Sequence, residues 1–393
     1  MKRIAICLLP MALATAPAGA QSIAAALEGA LAASFLPVQD PPPDPGPRTD
    51  HLFFLPQGMR DFVVEHNVQL SLNVDLVWSL LDAREPDHDD VEHAFIRELE
   101  LAFGIEITPD IWFDIQTAWE REGDDWETDV EEAYLTLLNL PGGVQARVGR
   151  FIAAFGKAGR YHTHARPWVD SPLVIEAFLG EESLRGHGGS VNVLIPNPWD
   201  VYSDLTVEFF EPVHGSESAG VELRERGGVV HLRNVITANE STTVEAGLSG
   251  AIVRQRENES DARIAGVDLT VKWIPIEEAL YRSFTWQTEV LLAQVDSIDF
   301  DERDSHWGGY TSGELQVSRR NFIGVRGDWV QSVEGGRDMY GVSPFHRIQL
   351  TERIYGRTQL SVIWHDPEAD DETLYALFFQ LNVSLGKHRA HAY

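Results

Sequence analysis

The feature that most constrains this chain is an alternation of apolar and polar residues that starts near residue 67 and continues towards the C-terminus. In the first segment, apolar residues stand at Val68, Leu70, Leu72, Val74, Leu76, Trp78 and Leu80, and polar ones at Gln69, Ser71, Asn73, Asp75 and Ser79. Successive side chains of a strand point to opposite faces, so this period predicts strands with one apolar and one polar face. Segments of about ten residues with this period recur along the chain, and none contains an apolar run long enough for a membrane helix.

The N-terminus has the features of an export signal. Lys2 and Arg3 precede an apolar stretch that ends at an A-x-A cleavage site, residues 18–20. We expect residues 1–20 to be removed as a signal peptide, together with Cys7, the only cysteine. The mature chain would then have no disulfide and no thiolate metal ligand.

Acidic residues outnumber lysine and arginine by 61 to 31, which gives a formal net charge of −30. This charge makes nucleic acid an unsuitable partner, because it would repel the phosphate backbone. Residues 21–64 lack the alternation and contain the proline-rich spacer DPPPDPG at 40–46, which is stiff and extended. We interpret residues 21–64 as a periplasmic arm, which could also enter a barrel as a small plug, and residues 65–393 as the main domain.

We count sixteen alternating segments after the arm, and the connections between them follow a rhythm in which every second one is short. The short connections are residues 108–110, 141–142, 196–199, 239–241, 319–320 and 354–357. The intervening connections are mostly longer and acidic. With an export signal, this rhythm predicts an all-β fold, a transmembrane antiparallel β-barrel of about sixteen strands in a Gram-negative outer membrane. A soluble β-sandwich would share the alternation of side chains but would explain neither the signal nor the rhythm.

Aromatic residues near the predicted strand ends suit the two interfacial girdles of such a barrel. They are Trp78, Trp112, Trp119, Trp273, Trp286, Trp329 and Trp364. The expected surroundings are outer-membrane lipid and lipopolysaccharide.

The connection between the fifth and sixth predicted strands, residues 154–187, is the longest and is unusually apolar for a solvent-facing loop. A barrel of sixteen strands is too wide for side chains alone to fill. We therefore expect this loop to fold inward and to constrict the pore with charged residues, as rings of charge do in selective channels. The predicted constriction residues are Lys157, Arg160, His162, His164, Arg166, Asp170, Glu181, Glu182 and Arg185. Lys157, Arg160 and Arg166 are the cations that we expect to face the solute.

The polar faces of the predicted strands supply further charges for the pore interior. The predicted lumen residues are Glu98, Glu100, Asp114, Arg147, Arg233, Arg326 and Arg347. The acidic members cluster on early strands and most basic ones on later strands, which raises the hypothesis of a transverse field across the pore. The alternative is that each charge is paired with a cross-strand neighbour.

The region around this loop resembles known families. Gly149-Arg150-Phe151 followed by Phe155-Gly156 resembles the phosphate-selective porin O and P group of Gram-negative outer membranes. A longer stretch, residues 149–199, is similar to barrels known as zinc-regulated outer-membrane receptors. That second likeness is carried by His162, Trp168, Phe178-Leu179-Gly180-Glu181-Glu182 and Trp199. Elsewhere the chain resembles these families only in its barrel periodicity. The receptor resemblance implies energised import.

His162 and His164, two residues apart on an extended chain, would face the same side, and His187 lies downstream. Zinc binding by these three imidazoles is possible on chemical grounds, but no spacing fixes a third ligand, and hydrogen-bonded loop histidines are the simpler interpretation. The sequence contains no G-x-S-x-G, H-E-x-x-H or P-loop motif. We therefore predict no enzymatic activity and no cofactor.

The sequence thus predicts a channel for passive diffusion of small hydrophilic solutes or ions, and the family resemblance suggests a homotrimer. The alternatives are a metal-linked (zinc) uptake protein, and a barrel-embedded hydrolase or adhesin.

Overall fold

The computed structural model describes most of the chain after residue 56. The described residues are 57–82, 93–122, 125–180, 183–199, 201–212, 217–218, 221–222, 226–254, 261–296, 303–332, 337–365 and 373–386. The predicted signal peptide, most of the predicted arm, Glu181, Glu182 and the C-terminal tail lie outside this range. Among the described residues, no helix is long and apolar enough to cross a membrane.

Two helices and eighteen strands make up the described structure. The helices are α1 (Gln57–Glu65) and α2 (Leu173–Leu179). The strands are β1 (Gln69–Asp82), β2 (His93–Thr108), β3 (Ile111–Glu122), β4 (Asp125–Leu140), β5 (Val144–Ile152), β6 (Arg185–Leu194), β7 (Tyr202–Pro212), β8 (Glu217–Ser218), β9 (Val221–Glu222), β10 (Arg226–Asn239), β11 (Thr242–Arg254), β12 (Asp261–Trp273), β13 (Phe284–Asp296), β14 (Arg303–Gln316), β15 (Asn321–Val330), β16 (Met339–Thr351), β17 (Ile354–His365) and β18 (Leu374–Gly386).

Sixteen of these strands form one closed antiparallel barrel. Each strand pairs with its neighbour in the chain, and β1 closes the ring by pairing with β18, with Val74 opposite Val383. The remaining two strands, β8 and β9, form a separate small hairpin in the connection between β7 and β10. The predicted fold class and strand number are therefore confirmed.

Some predicted boundaries are wrong. Residues 354–357, predicted as a turn, begin β17, and the turn from β16 consists only of Glu352 and Arg353. Strand β6 begins at Arg185, so the long connection before it ends at Leu184 and excludes Arg185 and His187. Glycine and charged residues in a strand that faces water on one side look like turn residues, which explains both errors.

The barrel is apolar outside and polar inside, the reverse of a soluble β-sandwich. On β1, Leu70 is 56% exposed, whereas its neighbour Ser71 is 3% exposed and faces the interior. The same outward exposure occurs in the aromatic residues Trp78, Trp273, Trp329 and Trp364. Because the exposed face is the apolar one, this exterior is suited to hydrocarbon rather than to water.

Two β-bulges turn charged side chains inward where simple alternation would not. Between β1 and β2 the register changes so that Asp75 is opposite Glu98 and Leu76 is opposite Ile96, which leaves Arg97 as the extra residue. A bulge re-aims the side chain that it carries. The Arg97 guanidinium therefore reaches Asp75 on the inner face, with Nε 2.8 Å from Oδ2.

The second bulge lies between β3 and β4. Gln116 pairs with Glu132 and Thr117 with Val130, so Glu131 is the extra residue. Both Glu131 and Glu132 are consequently buried on the inside, although they are adjacent in sequence.

Helix α1 lies at the start of the barrel domain and leads directly into β1. The Glu106 backbone N–H donates to the His66 carbonyl oxygen over 2.8 Å, and His66 Nδ1 lies 3.1 Å from the Glu106 carbonyl oxygen. The last residues of the predicted arm, 57–64, therefore belong to a helix whose C-terminal end is joined to β2.

Candidate functional site

The long connection between β5 and β6 runs through the inside of the barrel. We call residues 153–184 the constriction loop; all but Glu181 and Glu182 are described. It contains two short 3-10 turns, Ala158–Arg160 and Thr163–Ala165, followed by helix α2. Many of its apolar side chains are shielded from solvent, and Trp168 is only 1% exposed. The apolar character that distinguishes this loop in the sequence is thus used for packing against the inner wall.

The inner wall supplies a matching apolar surface on the side of β7 and β10–β16. Buried residues of the loop and its β5 base are Phe151, Ala153, Phe155, Ala158, Trp168, Val174, Ile175, Phe178, Leu179 and Leu184. Their partners on the wall are Phe210, Val229, Ala251, Val253, Ile264, Leu291, Ala293, Tyr310, Val330 and Phe345. The protein therefore has a small dry core inside the barrel, which holds the loop against one wall.

The start of the loop is held by polar side chains that accept its backbone N–H groups. The Gly156 N–H donates to Ser249 Oγ over 2.9 Å, and the N–H groups of Lys157 and Ala158 both donate to Glu289 Oε1, over 3.1 and 2.5 Å. Gly156 has a φ of +60°, and a Cβ at this position would collide with Glu289 Oε2. Only glycine adopts this backbone conformation freely and allows the carboxylate to come so close.

The middle of the loop is held by Asp170. Its Oδ1 accepts hydrogen bonds from Arg326 Nη2 over 2.8 Å and from Gln359 Nε2 over 2.6 Å, and its Oδ2 accepts one from Ser361 Oγ over 2.8 Å. Arg326 also lies over the ring of Trp168, with its Cζ 5.1 Å from the ring centroid. Because these partners belong to β15 and β17, the loop is attached to the wall far from the strands that it connects.

The tip of the loop contacts the opposite side of the barrel through two histidines. We call Glu98 and Glu100 of β2 and Glu131 and Glu132 of β4 the acidic wall. His162 Nδ1 lies 3.3 Å from Glu131 Oε2, and His162 Nε2 lies 3.2 Å from Glu132 Oε2.

His164 Nδ1 lies 3.3 Å from Glu100 Oε2 and 3.6 Å from Glu98 Oε1. Together with the contacts of His162, these contacts make the loop span the lumen from the apolar inner surface to the acidic wall.

The acidic wall raises the pKa of both histidines. Burial lowers the pKa of His162, but the negative charges of Glu131 and Glu132 and their hydrogen bonds outweigh burial and hold this pKa well above its usual value. Burial also lowers the pKa of His164, and the hydrogen bonds and charges of Glu100 and Glu98 raise it to about 9. Protonated imidazoles therefore offset part of the charge of the acidic wall at neutral pH.

Cavities lie on both sides of the constriction loop. One, towards the barrel edge with the long connections, is bordered by Arg97 and Arg121. Two others lie towards the edge with the short turns. Tyr161, His162 and Arg166 each border a cavity on both sides. Segment 161–166 is therefore a thin barrier between the two halves of the lumen.

The structure separates the predicted constriction residues into two groups. Arg160, His162, His164 and Arg166 border cavities. Lys157, in contrast, is 3% exposed and its Nζ donates to Glu245 Oε1 over 2.6 Å. Lys157 is thus a buried tether, and the expectation that it faces the solute is wrong.

Asp170 and Arg185 also border the cavity towards the long connections, although both are engaged in ion pairs. Arg185 is a strand residue whose Nη2 lies 2.9 Å from Asp129 Oδ2. Ion pairing therefore limits what both side chains can offer to a solute.

Four predicted lumen arginines are each paired with an acidic residue. The shortest N–O distances are 3.2 Å from Arg147 to Glu208, 2.9 Å from Arg233 to Asp204, 2.7 Å from Arg326 to Asp328 and 2.7 Å from Arg347 to Glu314. Glu98, Glu100 and Asp114 are buried on the inner side of β2 and β3. Local pairing of this kind favours neutralisation at short range over a long-range transverse field, although only Arg233 and Asp204 lie opposite each other on adjacent strands.

Several residues that hold the loop are absent from the sequence-based prediction. They include Arg97, Glu131, Glu132, Glu208, Glu289 and Arg357. Parity in a regular strand places Glu208 and Glu289 on the inner face and could have identified them. Arg97 and Glu131 depend on bulges, for which the sequence gives no comparable signal.

We compared the sequence and the fold of this chain with those of known proteins. The sequence matches no protein-family profile. It is 38% identical over 304 residues to an uncharacterized protein of Aquifex aeolicus (strain VF5), a match that covers 67% of this chain. The chain spans 63% of the length of that relative.

Two solved structures have a similar fold at low sequence identity. The outer membrane channel DcaP of Acinetobacter baumannii aligns with a TM-score of 0.59 at 11% identity, over 81% of this chain and 96% of DcaP. The anion-selective porin from Comamonas acidovorans aligns with a TM-score of 0.55 at 9% identity, over 81% of this chain and 99% of the porin. The chain therefore has the closed sixteen-stranded β-barrel fold of outer-membrane porins.

Proposed function

We propose that the protein is an outer-membrane channel through which small hydrophilic solutes or ions diffuse passively, with segment 161–166 of the constriction loop as the selective barrier. The observation that carries this proposal is the loop itself: it crosses a polar lumen, and cavities border it on both sides. An apolar exterior supports a position in lipid, with the long connections outside the cell and the short turns in the periplasm. Lipid and lipopolysaccharide would be its surroundings.

The porin fold supports a channel rather than a barrel-embedded hydrolase or adhesin, and energised uptake of a metal gains no support from it. That the chain belongs to one of the two families that residues 149–199 resemble stays a prediction. A homotrimer also stays a prediction, which the mass of the detergent-solubilised protein, measured by light scattering, would test.

Arg166 offers a direct test, because it borders cavities on both sides of the barrier. We expect purified protein in a planar bilayer to show discrete open-channel steps. The Arg166→Glu variant replaces a positive by a negative charge, so under a salt gradient its reversal potential should shift in the direction of greater cation preference.

Arg282→Glu is the matched control, because Arg282 lies in an exposed turn between β12 and β13 with its side chain 63% exposed. This variant should leave the reversal potential unchanged. Absence of conductance in correctly folded wild-type protein would contradict the proposal, and equal shifts in both variants would contradict the position of the barrier.

A further inference from the structure

Five potential metal ligands from three separate elements meet where the loop tip touches the acidic wall. Glu98 and Glu100 come from β2, Glu131 from the bulge in β4, and His162 and His164 from the constriction loop. They form two groups that share Glu100, and within each group the potential ligand atoms all lie within 4.8 Å of one another. His187, the third histidine considered from the sequence, belongs to neither group.

The spacing within these groups is that of a coordination shell as well as that of long hydrogen bonds. His162 Nδ1 lies 3.3 Å from Glu131 Oε2 and 3.6 Å from Glu100 Oε2. The contacts of His164 Nδ1 with Glu100 and Glu98 have the same two lengths. Usual N–H···O hydrogen bonds are shorter, about 2.7–3.2 Å. Ligand atoms bound tetrahedrally to zinc at about 2.0–2.1 Å lie roughly 3.4 Å from each other.

Glu98 provides an independent observation. It is 1% exposed; its Oε1 lies 3.6 Å from His164 Nδ1, beyond the usual hydrogen-bond range, and its Oε2 has no hydrogen-bond donor among the residues that the structure describes. A buried carboxylate that is paired this weakly is destabilising. One of these oxygens, Oε1, points into the group that contains His164 and Glu100. A cation bound there would give Glu98 a closer partner than the long contact with His164 does.

We propose that Glu98, Glu100, Glu131, His162 and His164 form a binding site for a divalent first-row transition-metal ion such as Zn²⁺, which either three-residue group can hold and in which Glu100 is common to both groups. Imidazole nitrogen combined with carboxylate oxygen suits Zn²⁺ and its neighbours, whereas Ca²⁺ and Mg²⁺ prefer oxygen ligands alone. The ion would replace the Nδ1 proton of each imidazole that it binds, because a ligating imidazole must be neutral.

The surroundings of His162 fit this assignment. Its other ring nitrogen, Nε2, lies 3.2 Å from Glu132 Oε2. A ligating histidine in a zinc site commonly donates its second N–H to a carboxylate, which fixes the orientation of the ring. Glu132 is therefore the positioning residue of the site.

The bound ion would fasten the tip of the constriction loop to β2 and β4. The binding proposal does not require that the barrel conducts, so metal binding and conductance can fail separately.

The test is a metal titration of the detergent-purified full chain with Zn²⁺ by calorimetry, and with Co²⁺ by its visible absorption. We expect one ion per chain. The variants Glu98→Gln and His164→Gln should each weaken binding by at least about tenfold.

Two matched controls carry the same substitutions outside the site. His187→Gln changes an exposed histidine and Glu277→Gln an exposed glutamate, and both should bind as the wild type does. Circular dichroism would check that each variant keeps its sheet content.

Two results would overturn the proposal. If the wild-type chain bound no ion at millimolar metal, the cluster would be a set of buried ion pairs only. If Glu98→Gln and His164→Gln bound as tightly as the controls, the ion would lie elsewhere on the protein.

Discussion

Single buried carboxylates decide how this loop is held. The Glu289 carboxylate accepts the N–H groups of Lys157 and Ala158 and the hydroxyl of Tyr310, which lies 2.6 Å from Glu289 Oε1. One side chain thus satisfies three buried donors on two elements. Such a residue contributes more through the groups that it keeps paired than through any single hydrogen bond.

We predict that Glu289→Ala loosens the start of the loop. Removal of the carboxylate leaves the amides of Lys157 and Ala158 without their acceptor, and each unpaired buried group costs about 1–3 kcal/mol. Hydrogen exchange followed by mass spectrometry should show faster exchange in a peptide that covers residues 156–160, while strand peptides of β2 remain protected.

Tyr310→Phe serves as the control for this prediction, because it removes one donor and leaves the carboxylate in place. Its effect on exchange should be clearly smaller. Equal protection in Glu289→Ala and the wild type would show that packing alone holds this segment.

The inward direction of most charged side chains could be predicted from the sequence, because parity in a regular strand fixes the face. Parity places Glu98, Glu100 and Asp114 inside, and the structure puts them there. It fails for Arg97 and Glu131, where one extra residue changes the register. Both bulges lie on strands that face the loop tip, so the error falls at the candidate site.

At the scale of elements, the constriction loop depends on a tight turn at its beginning. Gly156 combines a positive φ with a close approach to Glu289, and the next two amides point to the same carboxylate. The sequence shows the Phe155-Gly156 pair but not its partners, which lie more than ninety residues away.

We predict that Gly156→Ala displaces this turn and lowers the stability of the protein. The left-handed conformation costs an alanine about 1–2 kcal/mol, and the added Cβ would in addition collide with Glu289 Oε2. Thermal unfolding in detergent should show a lower midpoint than in the wild type.

Gly143→Ala is a close control, because Gly143 has a φ of +74° and a Cβ there would meet nothing within 4 Å. The Gly143→Ala variant has the conformational cost of a positive φ without a collision like that of Gly156→Ala with Glu289. If both variants shifted the midpoint equally, the contact between Gly156 and Glu289 would have no energetic role.

At the scale of the whole molecule, the strand number could be predicted because the lipid imposes alternation on every strand, and closure of the ring follows from their order. The attachment points of the loop could not be predicted from the sequence, because they are contacts between distant parts of the chain. Asp170 and Ser361, for example, are 191 residues apart. A single sequence specifies the apolar surface of the loop but not the wall against which it packs.

The barrel should fold without the constriction loop, because its sixteen strands form a complete hydrogen-bonded ring without the loop. We predict that replacement of residues 157–182 by a short Gly-Ser linker leaves sheet content intact and raises single-channel conductance several-fold, since the loop occupies the lumen. Deletion of residues 366–372, between β17 and β18, is the control and should leave conductance near the wild-type value. Unchanged conductance in a folded loop-deletion variant would mean that the current is limited elsewhere, and loss of the barrel would mean that the dry core around Trp168 and Phe345 is needed for folding.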